Sequence, residues 1–289
     1  MRTITEAYPP LPINYLISRI KEFKRANLDL QHEIIYELTK THPIFNVDFT
    51  KGSVFRRARI IGEGEYPELV QDLLWRPDGV SSVGRANPEG YPVLYVADRS
   101  ETAFAETHIE RSFVLLSELQ IRQNAKCRIA PIGEFNRVQR TDRGFLCGDL
   151  SSTINDMLNG CSLDEAKSLL ITDAFLLECL VGDDFPYALS SFVAKSIFEK
   201  NRHISAIAYP SVRQNGAINF AIKTDEFWKS WGVVGARRMK VCHLACGYYE
   251  TSLTEHVMGV DEGGKLIWER GLVDDKYSYP LDPPWHPGL

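Results

Sequence analysis

Paired cysteines, a long apolar run, a basic excess and internal repeats are all missing from this chain, and each absence removes a class of protein. The six cysteines (Cys127, Cys147, Cys161, Cys179, Cys242 and Cys246) contain no CxxC pair, so reduced thiols are expected rather than a disulfide framework. Cys242, His243 and Cys246 stand close together, but VCHLAC reads as strand alternation and no second ligand pair is near, so no metal is expected. No apolar run approaches the roughly 20 residues that span a bilayer, and MRTITEAYPPLPINYL lacks the basic-then-apolar pattern of a secretion signal. A cytoplasmic location, with no membrane partner, is the expectation. The net charge of −5 offers no overall basic field, so nucleic acid is not an expected partner and any anionic ligand must be held locally.

What is present is the composition of a folded protein, with 44% apolar and 25% charged residues, which excludes long disorder. The 289 residues suffice for one large domain with attached helical parts. Between residues 11 and 40, Leu16, Ile20, Phe23, Leu30, Ile34 and Leu38 recur at three-and-four spacing among charged residues, which predicts one or two amphipathic helices. VFRRARII, DLLW and VLYVA read as strand-like pieces separated by the turn dipeptides of PDG and PEG. After VLYVADR, SETAFAETHIE predicts a helix with Ser100 at its N-cap. Residues 145–200 read as helical, ISAIAYPSV, INFAIK and RRMKVCHLAC as strands, and the segment around DEGG as a hairpin. The expected division is an N-terminal helical extension (1–50), a main domain (51–250) with a helical insert at about 145–200, and a hairpin with a Pro-rich tail (251–289).

Three segments each carry one polar residue that an apolar, strand-like stretch has no structural reason to hold: Arg57 in VFRRARI, Glu106 in the run after VLYVADR, and Ser211 in IAYPSV. Burying such groups costs free energy unless they are partnered, so three intrusions suggest one shared site. Plainer readings stand beside this one. Arg56, Arg57 and Arg59 partly alternate with apolar neighbours and one or two can simply face solvent, Glu106 suits a helix start, and Ser211 after Pro210 suits a turn or cap.

These segments resemble the RES domain family, named for an arginine, a glutamate and a serine in that order. Arg57 in RRAR, Arg85 in GRANPEG, Tyr95 in VLYVA, Glu106 in ETAFAE and Ser211 in YPS sit where its motifs place them, and Asn219 in GAINFAI matches its trailing asparagine. The likeness covers roughly residues 52–225, and the long interval from Glu106 to Ser211 leaves room for extra helices. It implies an α+β fold with an ADP-ribosyltransferase-like split β-sheet core. It also implies NAD+ as substrate, degraded by hydrolysis or by phosphorolysis with inorganic phosphate as co-substrate, and no bound cofactor. Many relatives are toxins paired with a helix-turn-helix antitoxin, so such a partner is expected, and a homodimer is a further expectation.

The chemistry assigns roles. Cleaving the nicotinamide–ribose bond develops positive charge on C1′ and O4′, which a fixed carboxylate stabilises, and Glu106 is the candidate. Arg57 and Arg85, with Arg56 as the alternative, match phosphate oxygens in pairs. Tyr95 can stack on the nicotinamide ring, Ser211 can hydrogen-bond the ribose or the amide, and Asn219 joins them as a substrate-binding candidate. Two other readings remain open, transfer of ADP-ribose to a macromolecule and a partner-binding module that kept the fold without turnover.

Overall fold

The computed structural model describes residues 4–75, 84–87, 91–182, 185–269 and 279–288. In chain order it begins with helices α1 (Ile4–Ala7), α2 (Ile13–Phe23) and α3 (Leu28–Thr41), then strands β1 (Val47–Phe49) and β2 (Val54–Ile61). Helix α4 (Val70–Leu74), strand β3 (Val93–Ala97) and helix α5 (Ser100–Glu106) lead to strands β4 (Arg111–Ile121) and β5 (Cys127–Pro131). Four helices follow, α6 (Glu134–Thr141), α7 (Leu150–Asn159), α8 (Leu163–Val181) and α9 (Tyr187–Lys200). The chain closes through β6 (Ala206–Pro210), β7 (Ile218–Lys223), α10 (Thr224–Ser230), β8 (Trp231–Ala245), β9 (Tyr248–Val260) and β10 (Leu266–Glu269). The architecture is α+β. No helix among the described residues is long and apolar enough to cross a membrane.

Two compact units are interleaved along the sequence, one from Met1–Val47, Ser82–Pro92 and Arg128–Tyr209, the other from Asp48–Ser81, Val93–Cys127 and Pro210–Leu289. This division runs differently from the expected boundaries at 50 and 250. The physical reason is packing: α2 and α3 bury their apolar faces against α8 and α9, so the first helices and the inserted helices form one body. The insert also starts earlier than expected, at Glu134.

In the helical unit, Phe23 of α2 meets Phe175 and Phe185 edge-on, and His32 of α3 stacks on Phe192 of α9. A capping box of Ser162 and Glu165 starts α8, whose Ser-x-x-Glu spacing is legible in the sequence. The unit's two strands, β5 and β6, pair in parallel through Ile129–Ala206 to Pro131–Ala208. The carbonyls that end α3 have no partners within their own helix. Lys200, the last residue of α9, supplies them by donating from Nζ to the main-chain oxygens of Thr39, Lys40 and His42. Burial pushes the Lys200 pKa down to about 8.

The second unit is built on an antiparallel sheet of order β7-β3-β2-β4-β8-β9-β10. Successive side chains of a strand point to opposite faces, so register assigns every residue a side. One face carries Ala58, Ala97, Val114, Leu116, Met239 and Val241 under Ala103 and Phe104 of α5. The other buries Phe55 edge-on against Phe220 and Trp231. It also receives α4, whose C-terminal carbonyls accept from the sheet: Leu73 from Ser117 Oγ at 2.7 Å and Leu74 from Arg57 Nε at 3.1 Å.

Several local expectations are revised. Asp72–Leu74 of DLLW lie in α4 rather than in a strand, with Trp75 as its C-cap, because Val70, Leu73 and Leu74 are buried at helical spacing. Arg99, not Ser100, occupies the N-cap of α5, and Thr102 instead bonds Asp98 Oδ1 at 3.0 Å. Strand β4 and helix α10 were not anticipated, and the PDG and PEG turns lie outside the described residues. The hairpin at DEGG joins β9 to β10, and in the Pro-rich tail Trp285 exchanges two backbone hydrogen bonds with Val233.

Replacing Lys200 with Met removes the donor from three carbonyls while keeping most of the apolar stem. The expected result is a loss of about 1–3 kcal/mol in urea unfolding, and an unchanged midpoint would show that the ammonium contributes nothing.

Candidate functional site

Glu106 is the last residue of α5. The helix stops there for a local reason. Thr107 bonds back to Ala103 O through both its N–H (3.2 Å) and its hydroxyl (2.7 Å), and His108 adopts the left-handed region at φ 54. Phe104 anchors α5 in the sheet core and meets Tyr249 edge-on, so the helix end is held from beneath. The Glu106 side chain, half-buried, reaches two partners from distant parts of the chain. Its Oε1 accepts from Ser211 Oγ at 2.6 Å and from Asn219 Nδ2 at 2.6 Å. Both distances are at the short end of the hydrogen-bond range. Oε2 has no hydrogen-bond partner among the described residues.

Ser211 sits in the tight connection between β6 and β7. Its N–H donates to Ala217 O at 2.8 Å, and its Oγ accepts from the N–H groups of Arg213 and Gln214, both at 3.1 Å. Gly216 closes this turn at φ 76, a conformation that side chains disfavour. A hydroxyl has one hydrogen and two lone pairs, and here all three are used within the protein. Ser211 is therefore both turn former and partner of the carboxylate, and the two readings drawn from its sequence context coincide. Asn219 is 6% exposed and pairs in register with Ala97 of β3, which sets it beneath the Glu106 side chain.

The remaining candidates distribute as follows. Tyr95 lies two residues before Ala97, so alternation puts it on the Asn219 face, opposite Ala221. Arg56 is in register with Ala97 and shares that face, whereas Arg57 projects from the opposite face toward Leu74 O. The structure thus brings Glu106, Ser211 and Asn219 together, sets Tyr95 and Arg56 on their side of the sheet, and directs Arg57 away. Arg85 belongs to the helical unit, where its Nη1 donates to Leu180 O at 3.1 Å.

The buried acids Glu118, Glu134 and Asp173 went unread in the sequence, and Glu118 is the one that shares the sheet face of Arg56. Glu118 of β4 is 3% exposed, lies opposite Arg56 in register, and meets Arg237 at 3.3 Å through both of its carboxylate oxygens. Burial pushes its pKa up, and the nearby guanidiniums of Arg237 and Arg56 oppose that shift. A carboxylate within the apolar run VLLSELQI is the signal that would have found it.

A family model of the RES domain matches residues 57–230, more than half of the chain. The chain belongs to the RES domain family. Within that stretch lie Glu106, Ser211 and Asn219, together with Arg57, Arg85 and Tyr95, while Arg56 falls one residue before it. No curated protein matches the chain.

Substituting Ser211 with Ala strips one donor from Glu106 and leaves two turn N–H groups without their acceptor. Thermal or urea unfolding is expected to show a loss of about 1–3 kcal/mol; a neutral substitution would contradict the shared role of this hydroxyl.

Proposed function

We propose that this chain is an NAD+-degrading enzyme that cleaves the nicotinamide–ribose bond, by hydrolysis or phosphorolysis, with Glu106 as the group that stabilises the reacting sugar. The observation that carries this reading is the two-sided grip on Glu106: Oε1 is pinned by Ser211 and Asn219, and Oε2 is left without a protein partner among the described residues. A carboxylate held this way is preorganised, so little reorganisation is needed when charge develops on the sugar. In the reaction, the C1′–N bond breaks and its electron pair goes to the pyridinium nitrogen, giving neutral nicotinamide. The cationic C1′ and O4′ are then captured by an oxygen of water or phosphate, and water gives up one proton in doing so. Nicotinamide needs no protonation to leave, so one carboxylate suffices where most glycosidases employ two.

The other residues take supporting roles. Ser211 and Asn219 act first on Glu106 and only through it on the substrate, because the Ser211 hydroxyl is saturated by protein partners. Asn219 retains one amide hydrogen and its carbonyl oxygen for the ribose. Tyr95 stacks on the nicotinamide ring. Arg56, which shares the face of Asn219, is favoured over Arg57 as the guanidinium from β2, and Arg85 is proposed for the diphosphate. No resident cofactor or metal enters the scheme. The core is proposed to be ADP-ribosyltransferase-like. The family resemblance supports a cytoplasmic toxin neutralised by a helix-turn-helix antitoxin, with a homodimer as the proposed assembly.

Purified protein incubated with NAD+, with and without inorganic phosphate, is expected to release nicotinamide, and dependence on phosphate separates phosphorolysis from hydrolysis. Glu106→Gln is expected to lower that rate about 100- to 1,000-fold. Absence of release by the unmodified chain under both conditions would refute the reading, and label from NAD+ recovered on a macromolecule would convert it to ADP-ribose transfer.

A further inference from the structure

Among the described residues, Arg56 hydrogen-bonds only neutral oxygens, although its charge is felt by the nearby Glu118. Its Nη1 donates to Val54 O at 2.6 Å and Asp98 O at 3.1 Å, its Nη2 to Tyr279 Oη at 3.3 Å, and its Nε is buried without an acceptor. Glu118, the acid opposite it in register, is taken up by Arg237. In a guanidinium the Nε and Nη2 hydrogens point the same way and form the fork that grips two oxygens of a carboxylate or phosphate. Here, among the described residues, that fork holds a single phenol oxygen at long range, and its Nε half has no acceptor.

The phenol is delivered by the C-terminal segment. Leu281 N donates to Val234 O at 3.1 Å, and Trp285 exchanges bonds of 2.8 and 3.0 Å with Val233. Trp285 also lies edge-on to Trp228, and Lys51 meets Asp282 at 3.0 Å. Gly232 makes the approach feasible, since a Cβ there would stand 2.7 Å from Pro284. The segment is thus a strap laid along the part of β8 that β9 does not pair, and Tyr279 is its reach onto the Arg56 side chain. Strand register puts Arg56 on the face that bears Asn219, the partner of Glu106.

We propose that Tyr279 Oη occupies on Arg56 the place of a phosphate-type oxyanion, so that the C-terminal strap sets how tightly the face carrying Glu106 holds such an anion. The anion has two sources, the diphosphate of a nucleotide or free orthophosphate. The first rests on the NAD+ reading above; the second does not.

Calorimetric titration of the full chain with ADP, and separately with orthophosphate, tests this. At least one of the two is expected to bind, and the one that responds to the substitutions identifies the source. Tyr279→Phe frees one donor and is expected to tighten that ligand about fivefold, the size of one hydrogen bond. Arg56→Gln is expected to weaken it tenfold or more, with Arg56→Lys in between, each variant first shown to unfold at the wild-type urea midpoint or close to it. If folding fails in Arg56→Gln, the Tyr279→Phe and Arg56→Lys comparison decides alone. Binding of neither ligand, or affinities unchanged by Tyr279→Phe, would overturn the proposal. Glu106→Gln serves as the separating control: if it keeps full nicotinamide release the catalytic reading fails, while the Arg56 titrations still stand or fall by themselves.

Discussion

The grip of Ser211 and Asn219 on one oxygen of Glu106 is the constraint on which the candidate site depends. It joins a helix end, a tight turn and a strand separated by 105 and 113 residues of sequence. Each component is fixed by its own local physics. Helix α5 is nailed to the sheet through Phe104 and Ala103, the turn is closed by Gly216 and the Ser211 hydroxyl, and Asn219 is fixed by ladder pairing with Ala97. A carboxylate placed by three independent anchors loses little further freedom when a substrate arrives, which is what electrostatic preorganisation requires.

Strand register then decides which arginine shares a face with Asn219. Alternation along β2 turns Arg56 toward Asn219 and Arg57 toward the end of α4, so neighbouring residues of the same type do different work. Arg57 and Ser117, side by side in register, satisfy consecutive carbonyls of α4, which is a structural task. Arg56 keeps its fork underused and faces the strap. The polar intrusions in apolar strands thus split into two groups, those that complete the fold and those that leave valence available for a ligand.

Much of this was legible in the sequence where the signal was local. The spacing of Leu16, Phe23, Ile34 and Leu38 marks α2 and α3, Ser162 and Glu165 mark the start of α8, and GAINFAI reads as the strand it is. Glu106 and Ser211 stood out as polar residues in apolar surroundings and do meet, whereas Arg57, singled out on the same ground, turns to Leu74 O, and Asn219, which completes the cluster, was marked by the family resemblance. What failed was non-local. DLLW has the composition of a strand, and only packing on Ser117 and Arg57 makes it a helix. The face occupied by Arg56 or Arg57 depends on register with β3, which no single segment encodes. The union of the N-terminal helices with α8 and α9 likewise arises from burial between segments far apart in the chain.

The account turns on whether Ser211 acts through Glu106 or directly on the substrate, and a double-mutant cycle on nicotinamide release separates the two. Rates are measured for the wild-type chain, Ser211→Ala, Glu106→Gln and the double variant. If the hydroxyl works only by holding the carboxylate, Ser211→Ala slows the wild-type chain and costs nothing further once Glu106 is Gln. Equal losses in both backgrounds would contradict the account, because they would mean that the two residues serve the reaction independently.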